Sequence, residues 1–383
     1  MTIPWSTHSI AASSVNGAKS YAKARGKTSI FARPFNWVER FFPKNLYRVA
    51  MMKRSKTIIS QALLTLKQNL ETTGDPLGFK QAYWNNWVKE LNLPSEGKTV
   101  LLTARMYQML PYVIETTRTV SGVRSIIGIK GVGKMLTAAN RLAGERIIRL
   151  KARRDKKIEQ KAENALKGIV AALNAIGKQV AYLYDAEPYS GVLLFDLGLR
   201  KHIEHHVRKV YCFLKNLGIG HVITLDPHTT FMMKEIYPQY IESYDIEIKH
   251  YLEILSENRG NLVSASRREF AKEFVIHDSC VMTRDLGIIK QTRDVATSLG
   301  IRLIEPKHTR LDTACCGGPI EYAFPNLTDQ ISFIRVKELA NVCTEIIVTC
   351  PICLANLSKY QKTLGVRVWD MGEILHAAFN IHS

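Results

Sequence analysis

Residues 345–353 read EIIVTCPIC, and residues 221–229 read HVITLDPHT. Each segment begins with a short run rich in β-branched residues, which predicts a buried strand. In each, the run leads to a thiol or carboxyl side chain and then to a proline, a pattern typical of the first turn of a helix. The two segments therefore predict one strand–turn–helix unit that occurs twice in the chain.

The repeat extends upstream of these two segments. Residues 315–317 read CCG and residues 189–191 read YSG, while residues 275–280 read VIHDSC and residues 100–105 read VLLTAR. In place of the cysteines of the second copy, the first copy has Arg105, Tyr189, Ser190, Asp226 and Thr229. The chain thus contains one unit with a full set of thiols and one unit without them.

From residue 98 onwards, β-branched runs alternate with helical stretches, and this alternation predicts parallel sheets covered by helices. The runs are Thr99–Thr103, Gln179–Leu183, His221–Leu225, Phe274–Asp278, Arg302–Ile304, Glu345–Thr349 and Val366–Trp369. We expect an α/β fold with two tandem parallel domains, residues 98–265 and 266–383, behind a helical extension at residues 1–97. An insertion at about residues 117–175 carries a basic stretch, residues 149–159, that predicts a long, exposed helix.

Charge divides the chain unevenly. Residues 1–178 hold 31 Lys and Arg against 10 Asp and Glu, whereas the remaining residues balance to −2 of the total +19. Such a basic half attracts an anionic membrane surface, a nucleic acid or an acidic partner, although a solvated helix surface gives the same composition. Residues 34–50 mix aromatic and basic side chains, as a membrane-interface segment or an arm against a partner subunit does.

The cellular compartment is predicted from the apolar segments and from the first residues of the sequence. The longest apolar runs are too short to span a bilayer, and residues 1–16 do not resemble a secretory signal. We therefore expect a cytoplasmic protein, or one peripheral on the cytoplasmic face of a membrane.

The chain has seven cysteines, and five of them form a pattern: Cys280, Cys315, Cys316, Cys350 and Cys353. Each of the three groups follows a predicted parallel strand, and the carboxyl ends of such strands share one edge of the sheet. The five thiols can therefore converge. An iron–sulfur cluster accepts five thiolates, a structural zinc would leave one unused, and a dithiol redox pair would use two.

Other candidate sites carry weaker signals. Cys212 and Cys343 are expected in the core. His202, His205 and His206 lie on one helix with spacing that suits a metal, yet a solvated face explains them as well. Residues 127–134 resemble a helix-hairpin-helix, but one short match makes nucleic acid an unfavoured partner.

The pattern of cysteines resembles that of a known family. Cys280, Cys315-Cys316-Gly317 and Cys350-Pro351-Ile352-Cys353 look like the cysteine-rich CCG domain of heterodisulfide reductase catalytic subunits and of glycolate oxidase iron–sulfur subunits. His277-Asp278-Ser279-Cys280 is similar to the family's HDPC, with serine in place of proline. Gly74-Asp75-Pro76-Leu77-Gly78 is similar to a segment before the first CCG domain of longer members.

The resemblance implies one [4Fe-4S] cluster per chain, cubane or noncubane, on the five cysteines named above. The first unit has none of the five ligands, so the two-cluster heterodisulfide cleavage of the family is not expected. No cysteine precedes Cys212, so the ferredoxin-type segment of longer members is also missing. The leading hypothesis is an electron-transfer or redox subunit of a heterodisulfide-reductase-like complex, which passes electrons between a flavoprotein or ferredoxin-like partner and a disulfide or thiol-type substrate or a quinone. The alternatives are a docking or membrane-anchoring subunit with a structural cluster, and a nucleic-acid-binding protein with a structural cluster.

Overall fold

The structure, a computed structural model, describes residues 68–112, 156–196, 198–266, 270, 272–318 and 324–379. All of these residues belong to one compact unit, Lys53–Ser383. Most of the predicted N-terminal extension, most of the insertion and the helix-hairpin-helix at 127–134 lie outside them. The domain boundaries at residues 98 and 266 remain predictions.

Two four-stranded parallel sheets confirm the predicted α/β fold. The first contains β1 (Thr99–Leu102), β2 (Ala181–Tyr182), β3 (His221–Thr224) and β4 (Glu247–His250) in the order β2-β1-β3-β4. The second contains β5 (Glu273–His277), β6 (Arg302–Ile304), β7 (Glu345–Val348) and β8 (Arg367–Asp370) in the order β6-β5-β7-β8. The two sheets thus share one topology.

Strand register shows that the repeat is structural as well as sequential. Leu102 pairs with Thr224 in the first sheet, and His277 pairs with Val348 in the second. Since Thr224 and Val348 are equivalent in the repeat, His277 occupies the position of Leu102.

One strand was missed by the sequence analysis. β4 alternates exposed and buried residues along an edge of the sheet, and its charged Glu247 and Lys249 mask the apolar signal. Its counterpart β8 has the same burial pattern and was predicted.

Helices cover the sheets. They are α1 (Lys156–Ala175), α2 (Val192–Asp196), α3 (Arg200–Asn216), α4 (Pro227–Phe231), α5 (Tyr251–Glu257), α6 (Arg259–Ala265), α7 (Lys290–Ser298), α8 (Pro325–Ala340), α9 (Pro351–Ser358), α10 (Gln361–Leu364) and α11 (Met371–Phe379). Single turns of 3-10 helix occur at Tyr184–Ala186, Tyr237–Gln239 and Arg310–Asp312, a longer one at Gln81–Val88, and π-helical turns at Met232–Ile236 and Val281–Asp285.

The predicted exposed basic helix at residues 149–159 is described only from Lys156, where α1 begins, and residues 156–159 are exposed or half-buried. Beyond that stretch, α1 carries a buried face that includes Leu166, Ile169 and Leu173. This face is apolar at every third or fourth residue, so the later part of the helix packs on the core.

An apolar core runs through both halves of the described chain. It includes Leu101 and Ile223 of the first sheet together with Ile347 and Val348 of the second. A second apolar cluster fills the first half alone. The sheets are therefore held together by shared burial of apolar surface, which is the main stabilising term in folding.

Candidate metal centre at the edge of the second sheet

Three loops at one edge of the second sheet carry the five predicted thiols. Cys280 lies just beyond β5, and Cys350 lies just beyond β7 at the N-cap of α9, whose first turn contains Cys353. Cys315 and Cys316 follow β6 on the loop after Arg310–Asp312. Because β6, β5 and β7 are neighbours and parallel, their carboxyl ends place these loops side by side.

All five thiols are free, and they form one connected group. Hydrogen bonds link Cys280 to Cys315, Cys315 to Cys316, Cys316 to Cys353, and Cys353 to Cys350. Cys316, Cys350 and Cys353 are buried, whereas Cys280 and Cys315 are half-buried. The accessible side of the centre is therefore the side of Cys280 and Cys315.

Gly317 makes the turn that lets two adjacent cysteines face one point. Its φ of +96° lies in the left-handed region, and an added Cβ would stand 2.9 Å from the carbonyl oxygen of Thr328. No other residue type fits this position without strain. The turn also aims the Gly317 amide at Cys315 Sγ, at 3.3 Å.

Further hydrogen-bond donors point at three of the other sulfurs. His277 Nε2 lies 3.3 Å from Cys353 Sγ, and Asn356 Nδ2 lies 4.0 Å from Cys316 Sγ. The imidazole of His228, in α4 of the first half, interacts with the Cys350 thiol. Donors that surround a thiolate stabilise its negative charge.

Two of the thiols ionise readily. Burial opposes the charged form of Cys350, but hydrogen bonds from Cys353 and His228 hold its pKa well below the usual range. Hydrogen bonds from Cys315 and Cys353 lower the pKa of Cys316 to about 6. Cys280 shows the opposite shift, since its hydrogen bond with Cys315 and its burial raise its pKa well above the usual range.

This donor set fits an iron–sulfur cluster. A metal binds thiolates, so it would displace the protons that the five thiols now share. A tetrahedral zinc would take four ligands and leave the fifth thiol buried or half-buried without a partner. A cluster with several irons accepts all five. His277, Cys316 and Cys353 place their donor atoms within 4.8 Å of one another, so the centre is compact enough for a metal.

The equivalent position in the first half is closed by hydrogen bonds. Asp226 Oδ1 accepts from the amides of His228 and Thr229, both at 2.9 Å, and so caps α4. Thr229 Oγ1 lies 3.4 Å from Ser190 Oγ, and Tyr237 donates to the carbonyl oxygen of Ser190 at 3.1 Å. Side-chain oxygens thus join the same loops that the thiols join in the second half.

Arg105, at the position of Cys280, turns away from these loops. Its guanidinium lies 3.8 Å from the carboxylate of Asp75 and donates to the carbonyl oxygen of Glu187. Asp75 belongs to the GDPLG segment and accepts from Trp84 Nε1 at 2.7 Å. Arg105 therefore ties residues 74–84 to the first sheet.

The weaker sequence candidates fared differently. The prediction that Cys212 is a core residue is wrong, because the buried positions of α3, which include Ile203, Val207 and Leu214, leave it on the exposed face. Cys343 is half-buried and packs against the core, as predicted.

The three histidines of α3 do not form one solvated face. His205 is exposed and His202 half-buried, but His206 Nε2 hydrogen-bonds the carbonyl oxygen of Tyr189 at 2.7 Å. His206 therefore braces the loop at residues 189–191, which replaces the CCG loop of the second half.

A cluster of charged side chains lies next to the centre, between the end of β5 and the loop that leads to Cys315. The sequence did not predict it. Arg293 grips Asp278 with two hydrogen bonds of 2.6 and 2.7 Å and reaches Glu305 at 2.8 Å. Asp278 also accepts from the amide of Arg310 at 2.7 Å. The cluster therefore pins the strand end that precedes Cys280 to the loop that leads to Cys315.

We expect Arg293→Met to destabilise the folded chain by about 3 kcal/mol, because it leaves the buried Asp278 carboxylate without its cation. Asp278 is 3% exposed and Arg293 15%. Arg208→Met is the matched control, since Arg208 and Glu204 are both more than half exposed and such pairs contribute at most ~0.5 kcal/mol. Urea unfolding of the three proteins measures the difference; equal losses for both variants would contradict the assignment.

The same cluster predicts acid sensitivity. Hydrogen bonds from Arg293 lower the pKa of Glu305 from 4.5 to about 2, and although burial opposes it, the bonds from Arg293 also lower the pKa of Asp278. Because both values are lower in the folded chain, the stabilisation is complete above about pH 5 and is lost as the pH falls toward 2. Over that window the wild-type protein should lose stability more steeply than Arg293→Met. Parallel unfolding curves would show that the cluster is not the cause.

Among the described residues, no helix combines the length and the apolar character that a bilayer crossing requires.

Comparison with known proteins places the thiols in a family domain. A family model for the cysteine-rich CCG domain matches residues 274–358, which include the five cysteines of the centre. The EtfAB:quinone oxidoreductase of Syntrophomonas wolfei is 27% identical over 224 residues, which cover 55% of this chain and 31% of the relative. A "Probable membrane-anchored ferredoxin" of Chromohalobacter salexigens is 24% identical over 234 residues, which cover 58% of this chain and 34% of the relative.

The chain thus spans about a third of the length of these curated relatives. The resemblance to the CCG family that the cysteine pattern indicated is confirmed for residues 274–358.

Proposed function

We propose that this chain is an iron–sulfur electron-transfer subunit of a heterodisulfide-reductase-like redox complex. One observation carries the proposal: five free thiols lie on three neighbouring loops at one edge of the second sheet, and the described part of the first half has no such set at the equivalent edge. An iron–sulfur cluster supplies one-electron redox chemistry when it is bound. Cys280, Cys315, Cys316, Cys350 and Cys353 would hold it, as a [4Fe-4S] cluster.

The protein around the thiols favours electron transfer over a purely structural role. Cys316, Cys350 and Cys353 lie on the buried side and are supplied with hydrogen-bond donors, which adjust the charge on the sulfurs. Cys280 and Cys315 leave one side within reach of a partner or a small substrate. A cluster that only stabilises the fold gains nothing from an accessible side.

Partners follow from the chemistry and from the names of the relatives. One relative's name pairs EtfAB with a quinone, and the other's names a membrane-anchored ferredoxin. We propose that electrons pass between a flavoprotein or ferredoxin-like subunit and a quinone or a disulfide-type substrate. The basic residues 1–178 would dock the chain on an anionic membrane surface at the cytoplasmic face.

Reconstitution tests this function. Anaerobically purified protein is mixed with a reduced electron-transferring flavoprotein or a reduced ferredoxin, and the loss of its visible absorbance is followed. A water-soluble quinone or a small aromatic disulfide is then added in separate arms to find which one restores the absorbance.

The expected result is reduction by at least one donor and re-oxidation by one acceptor class. Cys353→Ser should lose the signal and Cys212→Ser, an exposed cysteine outside the centre, should keep it. A protein that holds its cluster but exchanges electrons with no donor would contradict the proposal.

A further inference from the structure

A buried histidine faces the centre at the end of β5. His277 is 1% exposed, and its Nε2 lies 3.3 Å from Cys353 Sγ. On the other side of the ring, Arg335 Nε lies 3.0 Å from Nδ1. The imidazole is therefore held between a guanidinium and a thiol.

The guanidinium decides which ring nitrogen carries the proton. An arginine side chain only donates hydrogen bonds and keeps its charge in proteins, so Nδ1 of His277 must accept. A neutral imidazole has one N–H, which then stands on Nε2 and points at Cys353 Sγ. With its proton on Nε2, the ring has no lone pair there for a metal, so His277 is a hydrogen-bond donor to the sulfur and not a ligand.

Arg335 is itself fixed in place. It is 1% exposed, its Nη1 lies 2.8 Å from Glu338, and its Nη2 donates to the carbonyl oxygen of His308 at 2.9 Å. Glu338 also accepts from the amide of His308 at 3.1 Å. With its three nitrogens engaged, the guanidinium cannot turn away, and the tautomer of His277 cannot change without breaking this network.

The repeat supplies an internal comparison. Strand register places Leu102 at the position of His277 in the first half. That half has oxygens and a guanidinium in place of the thiols. The buried donor thus occurs in the copy that has thiols, whereas an apolar side chain fills the same place in the copy that lacks them.

We propose that His277 is a positioning residue that sets the redox potential of the centre through its hydrogen bond to Cys353, with its tautomer fixed by Arg335. The inference rests on the proposed function, since it requires a cluster on the thiolates. Reduction adds negative charge to the cluster and its ligands, and a donor to a ligating sulfur stabilises that charge. The hydrogen bond therefore raises the potential.

Three variants of the full chain separate this role from a structural one. His277→Leu and His277→Met remove the donor, while His277→Gln keeps an N–H near the position of Nε2. Each protein is purified anaerobically, its iron and sulfide are measured, and its midpoint potential is found by a dye-mediated titration with dithionite and ferricyanide. Hyperfine spectroscopy of protein labelled with 15N-histidine shows whether a ring nitrogen is bonded to iron.

We expect full iron content in His277→Leu or His277→Met, with the equilibrium constant for reduction lowered about tenfold, or ~59 mV for a one-electron couple. His277→Gln should recover most of that shift, and the wild-type nitrogen coupling should be weak.

If His277→Leu or His277→Met keeps its iron and has the wild-type midpoint potential, the inference is overturned and the proposed function still stands. A strong nitrogen coupling would also overturn it, since His277 would then be a ligand. If neither His277→Leu nor His277→Met folds while His277→Gln does, the hydrogen-bond donor serves folding and the inference fails. Absence of iron and sulfide from the wild-type protein would instead refute the proposed function.

Discussion

Replacing Cys350 with aspartate and Cys353 with threonine is expected to remove the iron from the chain and to leave the chain folded. The double substitution gives the second half the residues that stand at the equivalent positions of the first, Asp226 and Thr229. There the aspartate caps α4 through two backbone amides. Cys350 makes no side-chain cap of α9, so the introduced aspartate adds a cap that contributes about 1 kcal/mol.

The double variant discriminates between a redox centre and a structural one. If the centre serves electron transfer, the variant should lose iron, sulfide and visible absorbance, keep a cooperative thermal transition, and lose electron transfer in the complex. If metal binding supplies much of the stability of the second half, it should aggregate or unfold instead. Cys212→Ser serves as the control for loss of a thiol outside the centre. A folded, iron-free variant that still supported full turnover would refute the proposed function.

Replacing Gly168 with valine is expected to destabilise the fold by about 3 kcal/mol or more. Gly168 lies where α1 crosses α11, and a Cβ there would stand 2.0 Å from the carbonyl oxygen of Gly372 and 2.3 Å from the amide of His376. Both obstacles are backbone atoms, so no side-chain rotation relieves the clash. Gly372 is equally confined, against the backbone of Ala165.

The contact matters because it joins two distant parts of the sequence. Helix α1 lies at the end of the insertion of the first half, and α11 ends the described part of the second. An ion pair of 3.0 Å between Lys161 and Glu373 lies beside the crossing. Separation of the two helices would expose the part of the shared apolar core that lies between them.

Gly260→Ala is the matched control. Gly260 also lies in a helix, but an added Cβ would meet no atom within 4 Å. Alanine there should be neutral or stabilise the chain by up to about 1 kcal/mol, because glycine is the poorer helix former. Thermal and urea unfolding of both variants measures the contrast. Similar stabilities for Gly168→Val and the wild-type protein would show that the crossing is wrong.

The sequence was sufficient to predict the two parallel sheets, apart from β4, and the neighbouring positions of the loops that carry the thiols. Both depend on local signals: β-branched runs mark the strands, and parallel strands bring their carboxyl ends to one edge. The prediction that Cys280, Cys350 and Cys353 lie close together needed only that each follows such a strand.

Signals that depend on packing escaped the sequence analysis. The hydrogen bond between Arg335 and His277 joins residues that are 58 positions apart. No periodicity in either segment predicts it. The prediction that Cys212 is buried failed because its sequence neighbours are apolar. The positions of α3 that are buried lie on another face of the helix. The buried face of α1 was not predicted either, because it begins only after the basic stretch at residues 149–159.

Iron and sulfide analysis of the anaerobically purified wild-type chain, combined with EPR, tests the central claim most directly. With five thiols in the second half and Asp226, Thr229 and Arg105 among the residues that replace them in the first, we predict about four irons and four sulfides per chain. The EPR signal should belong to one cluster. About eight irons per chain would contradict a first half without a cluster, and zinc without sulfide would contradict the cluster itself.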